Sequence, residues 1–236
     1  MAEILEHVEY NTDLTLIAIT DHDEISGAHE ARERAAQRNY HFEVVVGTEV
    51  TTRHGHLLAL FIERALPMFQ SVERTIEEVH AQGGICIVPH PMSWLTLSVG
   101  RRRLLSVARH PSPTIHFDGI ETFNPTIAGK VMHEQAIDFN AQVLKLAEVG
   151  GSDAHGLNLI GSGHTLYPGK TAAEFRQALA ERRTVAGGEF WTANDYLQNL
   201  AEQQFRALIL HPSQKIRRAL GSALGQAVPE ERFPDG

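Results

Sequence analysis

One cysteine in 236 residues excludes an intrachain disulfide and points to a reducing compartment, so a cytoplasmic location is expected. No apolar run approaches the roughly 20 residues that a membrane-spanning helix needs. The N-terminal segment carries Glu3, Glu6 and Glu9 where a secretory leader would carry basic residues and an apolar stretch. Cations are the scarcer charge: 21 Lys and Arg stand against 29 Asp and Glu, a net charge of -8. That balance argues against broad binding of nucleic acid or of an anionic membrane surface through bulk charge. Internal repeats and low-complexity tracts are also lacking. What is left is a chain of ordinary globular composition, long enough to bury a substantial core in one main domain.

Histidine is abundant: there are fourteen, and several follow apolar segments of strand length. Leu14 to Thr20 stops at Asp21-His22-Asp23, and Phe42 to Thr48 stops at Glu49. Ile85 to Val88 stops at Pro89-His90-Pro91, Phe117 to Ile120 at Glu121, and Leu146 to Val149 at Gly151-Ser-Asp153-Ala-His155. Thr51 to His56 reads as a short loop or hairpin, and Leu57 to Ile62 as a further strand whose candidate ligand, His56, precedes it. Between these runs lie helical patterns at 2–10, 26–38, 71–82, 129–141 and 171–182. A short strand is expected at 183–186 and a helical stretch at 194–224. Alternating strands and helices argue for a parallel sheet. Many strand ends bearing polar residues favour a barrel, whose ends converge on one mouth.

His22, Glu49, His56, His90, Asp153 and His155, with Glu121, supply the donors of a multinuclear hydrolytic centre. Imidazole suits zinc, iron or manganese, and carboxylates bridge cations and balance their charge. Asp21 is read as a support for the site or a helix cap, and Glu121 and Asn124 as groups that orient substrate or water. Arg101, Arg102 and Arg103 have the geometry to meet a phosphate, with a solvated helix face as the stronger reading. Gly161-Ser162-Gly163 is read as a turn, and Cys86 as inert core. His54 competes with His56 for the ligand role. His7, His29, His41, His80, His110, His116, His133, His164 and His211 have no motif context and receive no role.

The motifs Thr20-Asp21-His22-Asp23, Gly47-Thr48-Glu49, His56-Leu57-Leu58, Pro89-His90-Pro91, Gly119-Ile120-Glu121-Thr-Phe-Asn124 and Gly151-Ser152-Asp153-Ala154-His155 occur in an order that resembles the PHP (polymerase and histidinol phosphatase) family, over about residues 1–188. The resemblance implies a distorted (β/α)7 TIM-like barrel and a stand-alone metal-dependent phosphoesterase. It implies divalent cations (manganese, zinc or iron, up to three) and hydrolysis of a small phosphorylated metabolite or nucleotide by metal-activated water. By family pattern, Glu49, His56 and His90 hold one metal, Glu49 and Asp153 belong to a second, and His22 and His155 to a third. Glu49, Asp153 and His155 are the expected catalytic residues.

One family motif has no counterpart in these residues. The family opens with a strand ending in His-x-His, followed by Ser-Asp-Gly, and this sequence begins at the helix beyond them. The reading is a sequence that starts too late, with natural loss as the alternative. Fewer metals, poor metal binding and weak activity are expected for the chain as given. The expected organisation is a barrel over 1–190, its first strand missing or altered, and a helical extension over 191–236. The rival from another class is a catalytically inactive barrel acting as a binding or scaffold protein. An amidohydrolase-like barrel cleaving a C–N bond would call for a lysine at a strand end, and Lys130, Lys145 and Lys170 fall in helix or loop patterns.

Overall fold

The computed structural model describes residues 1–196; most of the helical stretch expected at 194–224 therefore lies outside the described residues. Two compact units are delimited, Met1–Trp191 and Thr192–Gly236, and the fold described below is that of the first. Its elements are α1 (Ala2–Asn11), β1 (Leu16–Ile19), α2 (Ser26–Arg38), β2 (Glu43–Thr52), β3 (Gly55–Leu60), α3 (Val72–Ala81), β4 (Ile85–Val88), α4 (Arg101–Ala108), β5 (Gly119–Phe123), α5 (Ile127–Lys130), α6 (His133–Phe139), β6 (Ala147–Gly150), β7 (Gly163–Leu166), α7 (Ala172–Ala180) and β8 (Val185–Gly188). A π-helical turn, Asn140–Leu144, follows α6, and a 3₁₀ turn, Leu157–Leu159, precedes β7.

Strands β1 to β6 form one sheet in sequence order, curled into a half-barrel, and β7 and β8 form a separate antiparallel pair. The sheet is mixed α/β rather than wholly parallel. β1–β2, β4–β5 and β5–β6 pair in parallel, whereas β3 runs antiparallel to both neighbours. The expectation of parallel pairing throughout fails at β3 for a local reason. Only Arg53 and His54 separate β2 from β3, and a connection that short can join antiparallel strands alone. The same hairpin moves His56 inside β3, opposite Thr51, instead of ahead of the strand. Glu121 likewise sits inside β5 rather than at its end, and the helix expected at 129–141 is broken into α5, α6 and the π turn.

Both faces of the sheet are covered, which explains why its strands read as continuous apolar runs. Successive residues alternate between two cores. Val46, Val50, Leu57, Ala59, Cys86, Val88 and Ile120 pack with Ile76 and Val79 of α3 and Leu104 and Val107 of α4. Val45, Leu60, Ile85, Ile87, Ala147 and Val149 pack with Phe175 and Leu179 of α7. Leu5 and Val8 of α1 close a third core with Ala31 and Ala35 of α2, Phe42 and Val44. The helix starts follow their sequence signals. Ser71 caps α3 by accepting from Arg74 N, and Thr171 and Glu174 form a reciprocal capping box on α7. Pair β7–β8 lies against β6: the Thr165 hydroxyl accepts from Gly150 N and donates to Gly150 O.

Gly55 opens β3 at φ +122, and a Cβ there would stand 2.3 Å from the Ser98 carbonyl carbon and 2.4 Å from Val99 N. The β2–β3 turn and the 92–100 loop can meet only because this position is glycine. Gly55→Ala is therefore expected to destabilise the protein by about 2–4 kcal/mol, from backbone strain and overpacking together. Urea unfolding checks this; a shift below about 0.5 kcal/mol would show that the two segments do not pack as described.

Candidate metal centre

The parallel bridge between His22 and Glu49 sets one side of the site. Asp23 N donates to Glu49 O at 3.0 Å and Glu49 N donates to Asp21 O at 3.2 Å, so the segment after β1 continues the sheet ladder along β2. Asp23, at φ 54, accepts from Thr51 N at 2.7 Å and from the Thr51 hydroxyl at 2.6 Å. Asp21 contributes mainly its backbone carbonyl, which also accepts from the Thr48 hydroxyl. The carboxylate that holds this corner is thus Asp23, a role not assigned from sequence, although the residue lies in the Asp-His-Asp motif.

Glu49 is the hub. Its Oε1 lies 2.9 Å from His56 Nδ1 and 3.1 Å from His90 Nε2, and its Oε2 lies 3.8 Å from His22 Nε2. Ligand atoms of His22, Glu49 and His56 all lie within 4.8 Å of one another. The His22 and His56 ring centroids are 4.8 Å apart, and those of His56 and His90 are 5.8 Å apart. Glu49, His56 and His90 are buried, whereas half of the His22 side chain is exposed, which leaves the cluster open on one side. Ser98 Oγ stands 2.9 Å from His90 Nδ1 and fixes that ring from behind.

A second cluster adjoins the first through backbone. His90 N donates to Glu121 Oε2 at 2.7 Å. Asn124 Nδ2 donates to the same oxygen at 3.0 Å and reaches Asp153 Oδ2 at 3.5 Å. Asn124 Oδ1 in turn accepts from Thr126 N and its hydroxyl. His155 is more loosely attached: Nδ1 lies 3.1 Å from Asp153 O and 3.9 Å from Asp153 Oδ1, with nearly half of its side chain exposed. The candidate residues therefore gather as two adjoining groups, His22–Glu49–His56–His90 and Glu121–Asn124–Asp153–His155. His90 and Asp153 both hold positive φ, 28 and 49, the kind of backbone strain that collects at functional sites.

Electrostatics distinguish the carboxylates. Burial raises Glu49, but hydrogen bonding and charge from His56, His90 and His22 outweigh it and hold the group well below the usual carboxylate range. Burial pushes Glu121 up to about 7, against the attraction of His90. Burial and the neighbouring Glu49 charge raise Asp153 as well. Three desolvated carboxylates near one another call for a counter-cation. His56 Nδ1 is fully buried and faces Glu49 Oε1 at 2.9 Å. Three imidazoles converging on one buried carboxylate fit a divalent cation, for which imidazole and carboxylate are ordinary ligands.

The other sequence candidates do not reach this site. Arg103 donates to Glu73 at 2.7 Å and lies 2.8 Å from His54 Nε2, and Arg101 stacks over Phe139. Ser162, in the glycine-rich turn, donates to Leu159 O and accepts from Trp191 Nε1.

A model described as PHP-associated matches residues 133–184. Over those residues the chain is similar to the PHP family. An uncharacterised protein of Methanocaldococcus jannaschii is 34% identical over 111 residues, which cover 47% of this chain and 58% of that protein. Among solved structures, a Bacteroides vulgatus two-domain protein containing a predicted PHP-like metal-dependent phosphoesterase superposes with TM-score 0.59 at 20% identity, covering 84% of this chain and 64% of that one. PsfC from Pseudomonas syringae superposes with TM-score 0.60 at 16% identity, covering 87% and 88%. Endonuclease Q, solved with a 27-mer duplex carrying an abasic lesion, superposes with TM-score 0.51 at 14% identity over 77% of this chain and 51% of its own. These structural likenesses establish the fold. The chain spans less than two thirds of the length of the archaeal protein and of the Bacteroides protein. No helix among its described residues is long and apolar enough to cross a membrane.

Proposed function

We propose that the protein is a metal-dependent phosphoesterase whose centre is built on Glu49. The observation that carries the reading is the convergence of His22, His56 and His90 on one buried carboxylate. The half-barrel is read as the frame of a distorted (β/α)7 barrel spanning 1–190, with 191–236 as its extension.

Glu49, His56 and His90 would hold one divalent cation, of manganese, zinc or iron, and His22, Asp153 and His155 would serve further ones. Such a cation supplies Lewis-acid charge that lowers the pKa of water and neutralises phosphoryl oxygens. Glu49 is ionised at neutral pH and available as a ligand. Ser98 and the Glu121–Asn124 pair fix His90 from both sides, so its ring is oriented before substrate arrives. Asp153 and His155 edge the opening and are placed to take or return a proton during ester cleavage. The net charge of -8 favours a small phosphorylated metabolite or nucleotide over long nucleic acid.

The test is phosphate release from a panel of nucleotides, sugar phosphates and an abasic-site DNA duplex with manganese added. It is run on this chain and on the reading frame extended upstream of Met1. Release that depends on manganese and disappears in His90→Ala supports the reading. Cleavage of the duplex alone would move the substrate class to nucleic acid. Inertness of both versions, with manganese binding unaltered in His90→Ala, would leave the scaffold reading in its place.

A further inference from the structure

We infer that the protein carries a second, separate transition-metal site, formed by His80, His116 and Asp118 at the opposite end of the sheet from the Glu49 centre. Asp118 immediately precedes β5 and His80 lies in the last turn of α3. His90 follows the other end of β4, whereas Asp118 Oδ2 accepts from Cys86 N near its start at 2.7 Å. The strand length therefore separates the two centres.

The argument rests on what each ring nitrogen faces. His80 Nδ1 lies 2.8 Å from Thr114 O, and His116 Nδ1 lies 2.9 Å from Pro113 O. A carbonyl oxygen only accepts, so each Nδ1 carries the hydrogen. Each neutral ring then presents the Nε2 lone pair, and both Nε2 atoms face one carboxylate: His80 at 3.0 Å from Oδ2, and His116 at 3.5 Å from Oδ1. Two lone pairs directed at a carboxylate repel it unless a positive charge stands between them. Extra protons supply one form of that charge, and the raised pKa of His80 beside Asp118 reflects it. A metal ion supplies the other, and the cluster is already arranged for it.

Backbone carbonyls fixing the tautomer of ligating histidines, with the carboxylate itself anchored by a backbone N–H, are the usual supports of a metal site. Tetrahedral ligands at roughly 2.0–2.1 Å from zinc stand about 3.3 Å apart. His80 and His116 approach the two oxygens of Asp118 at 3.0 and 3.5 Å, and one ligand atom from each residue lies within 4.8 Å of the others, a spread that a small shift closes onto one ion. Two imidazoles and one carboxylate select zinc, nickel, cobalt or copper over magnesium or calcium. His116 is half exposed, so the cluster is reachable from solvent on that side.

The test uses zinc alone on the full chain, with Glu49→Gln introduced first to remove the contribution of the other centre. After loading and desalting, zinc per chain is measured by mass spectrometry and affinity by competition with a chromophoric chelator. The Glu49→Gln protein is expected to retain an ion that Glu49→Gln/His116→Ala loses, with an affinity drop exceeding the roughly 10–100-fold caused by losing an outer support alone. Cobalt in place of zinc is expected to give visible absorption that His116→Ala abolishes and His110→Ala leaves intact. His116 is exposed enough that its removal spares the core, and circular dichroism verifies that. Equal zinc retention with and without His116, or none in either, overturns the proposal and leaves a purely hydrogen-bonded histidine pair. Neither result bears on the phosphoesterase reading.

Discussion

Glu49→Gln is expected to abolish cation retention at the upper centre and to lower phosphoester turnover by about 10³-fold, from the several kcal/mol of charge stabilisation that a bound cation contributes. The amide keeps the shape of the side chain but removes the charge on which three histidines converge. A second readout separates this from general damage. The Glu49 carboxyl is held well below its ordinary value of 4.5 in the folded, metal-free protein. A depressed folded pKa contributes stability that is present above the unfolded value and lost as pH falls through the folded one. The metal-free protein should therefore lose stability on acidification below about pH 4.5, and Glu49→Gln should lose less over the same interval. His22→Ala, at a half-exposed position, should fold normally and weaken cation binding without removing the acid response. If Glu49→Gln keeps both its metal and its turnover, the centre is not built on this residue.

The Glu49 cluster was legible in the sequence because each member lies at or near the end of an apolar run, and a folded sheet aligns such ends. His22, Glu49, His56 and His90 meet for that reason. The supporting groups were less legible. Ser98 reaches His90 from the least regular part of the chain, and Asn124 is positioned by hydrogen bonds to Thr126 that no periodicity signals. The turn before β3 was legible, since 51–56 reads as a short loop or hairpin, but the alternation of strands and helices suggested parallel pairing, which β3 breaks. The His80–His116–Asp118 cluster was invisible: His80 is separated by 36 residues from His116 and lacks a shared motif with it. Topology alone brings the end of α3 beside the start of β5.

Glu121→Gln is expected to make the metal-free protein more stable at about pH 8, by on the order of 3 kcal/mol, while lowering activity. The Glu121 carboxyl is fully desolvated and its pKa is pushed up to about 7 from 4.5. For a carboxyl shifted in this direction the folded state favours the neutral form. Its contribution is fully present below the unfolded value, near pH 4.5, and is lost as pH rises through the folded value, near 7. The stability curves of the two proteins should thus coincide in acid and separate between these limits. A neutral amide can still accept from His90 N and Asn124 Nδ2, so the hydrogen bonds that fix His90 need not be lost. A cation at the Glu49 centre should shrink the difference, because its charge offsets the burial of Glu121. Urea titrations from about pH 4 to 8, with chelator and then with manganese, measure each part. Parallel curves throughout would mean that Glu121 stays ionised at no cost. The network would then be an ordinary hydrogen-bonded support, and the accumulation of desolvated carboxylates would cease to be a reason for a cation at this site.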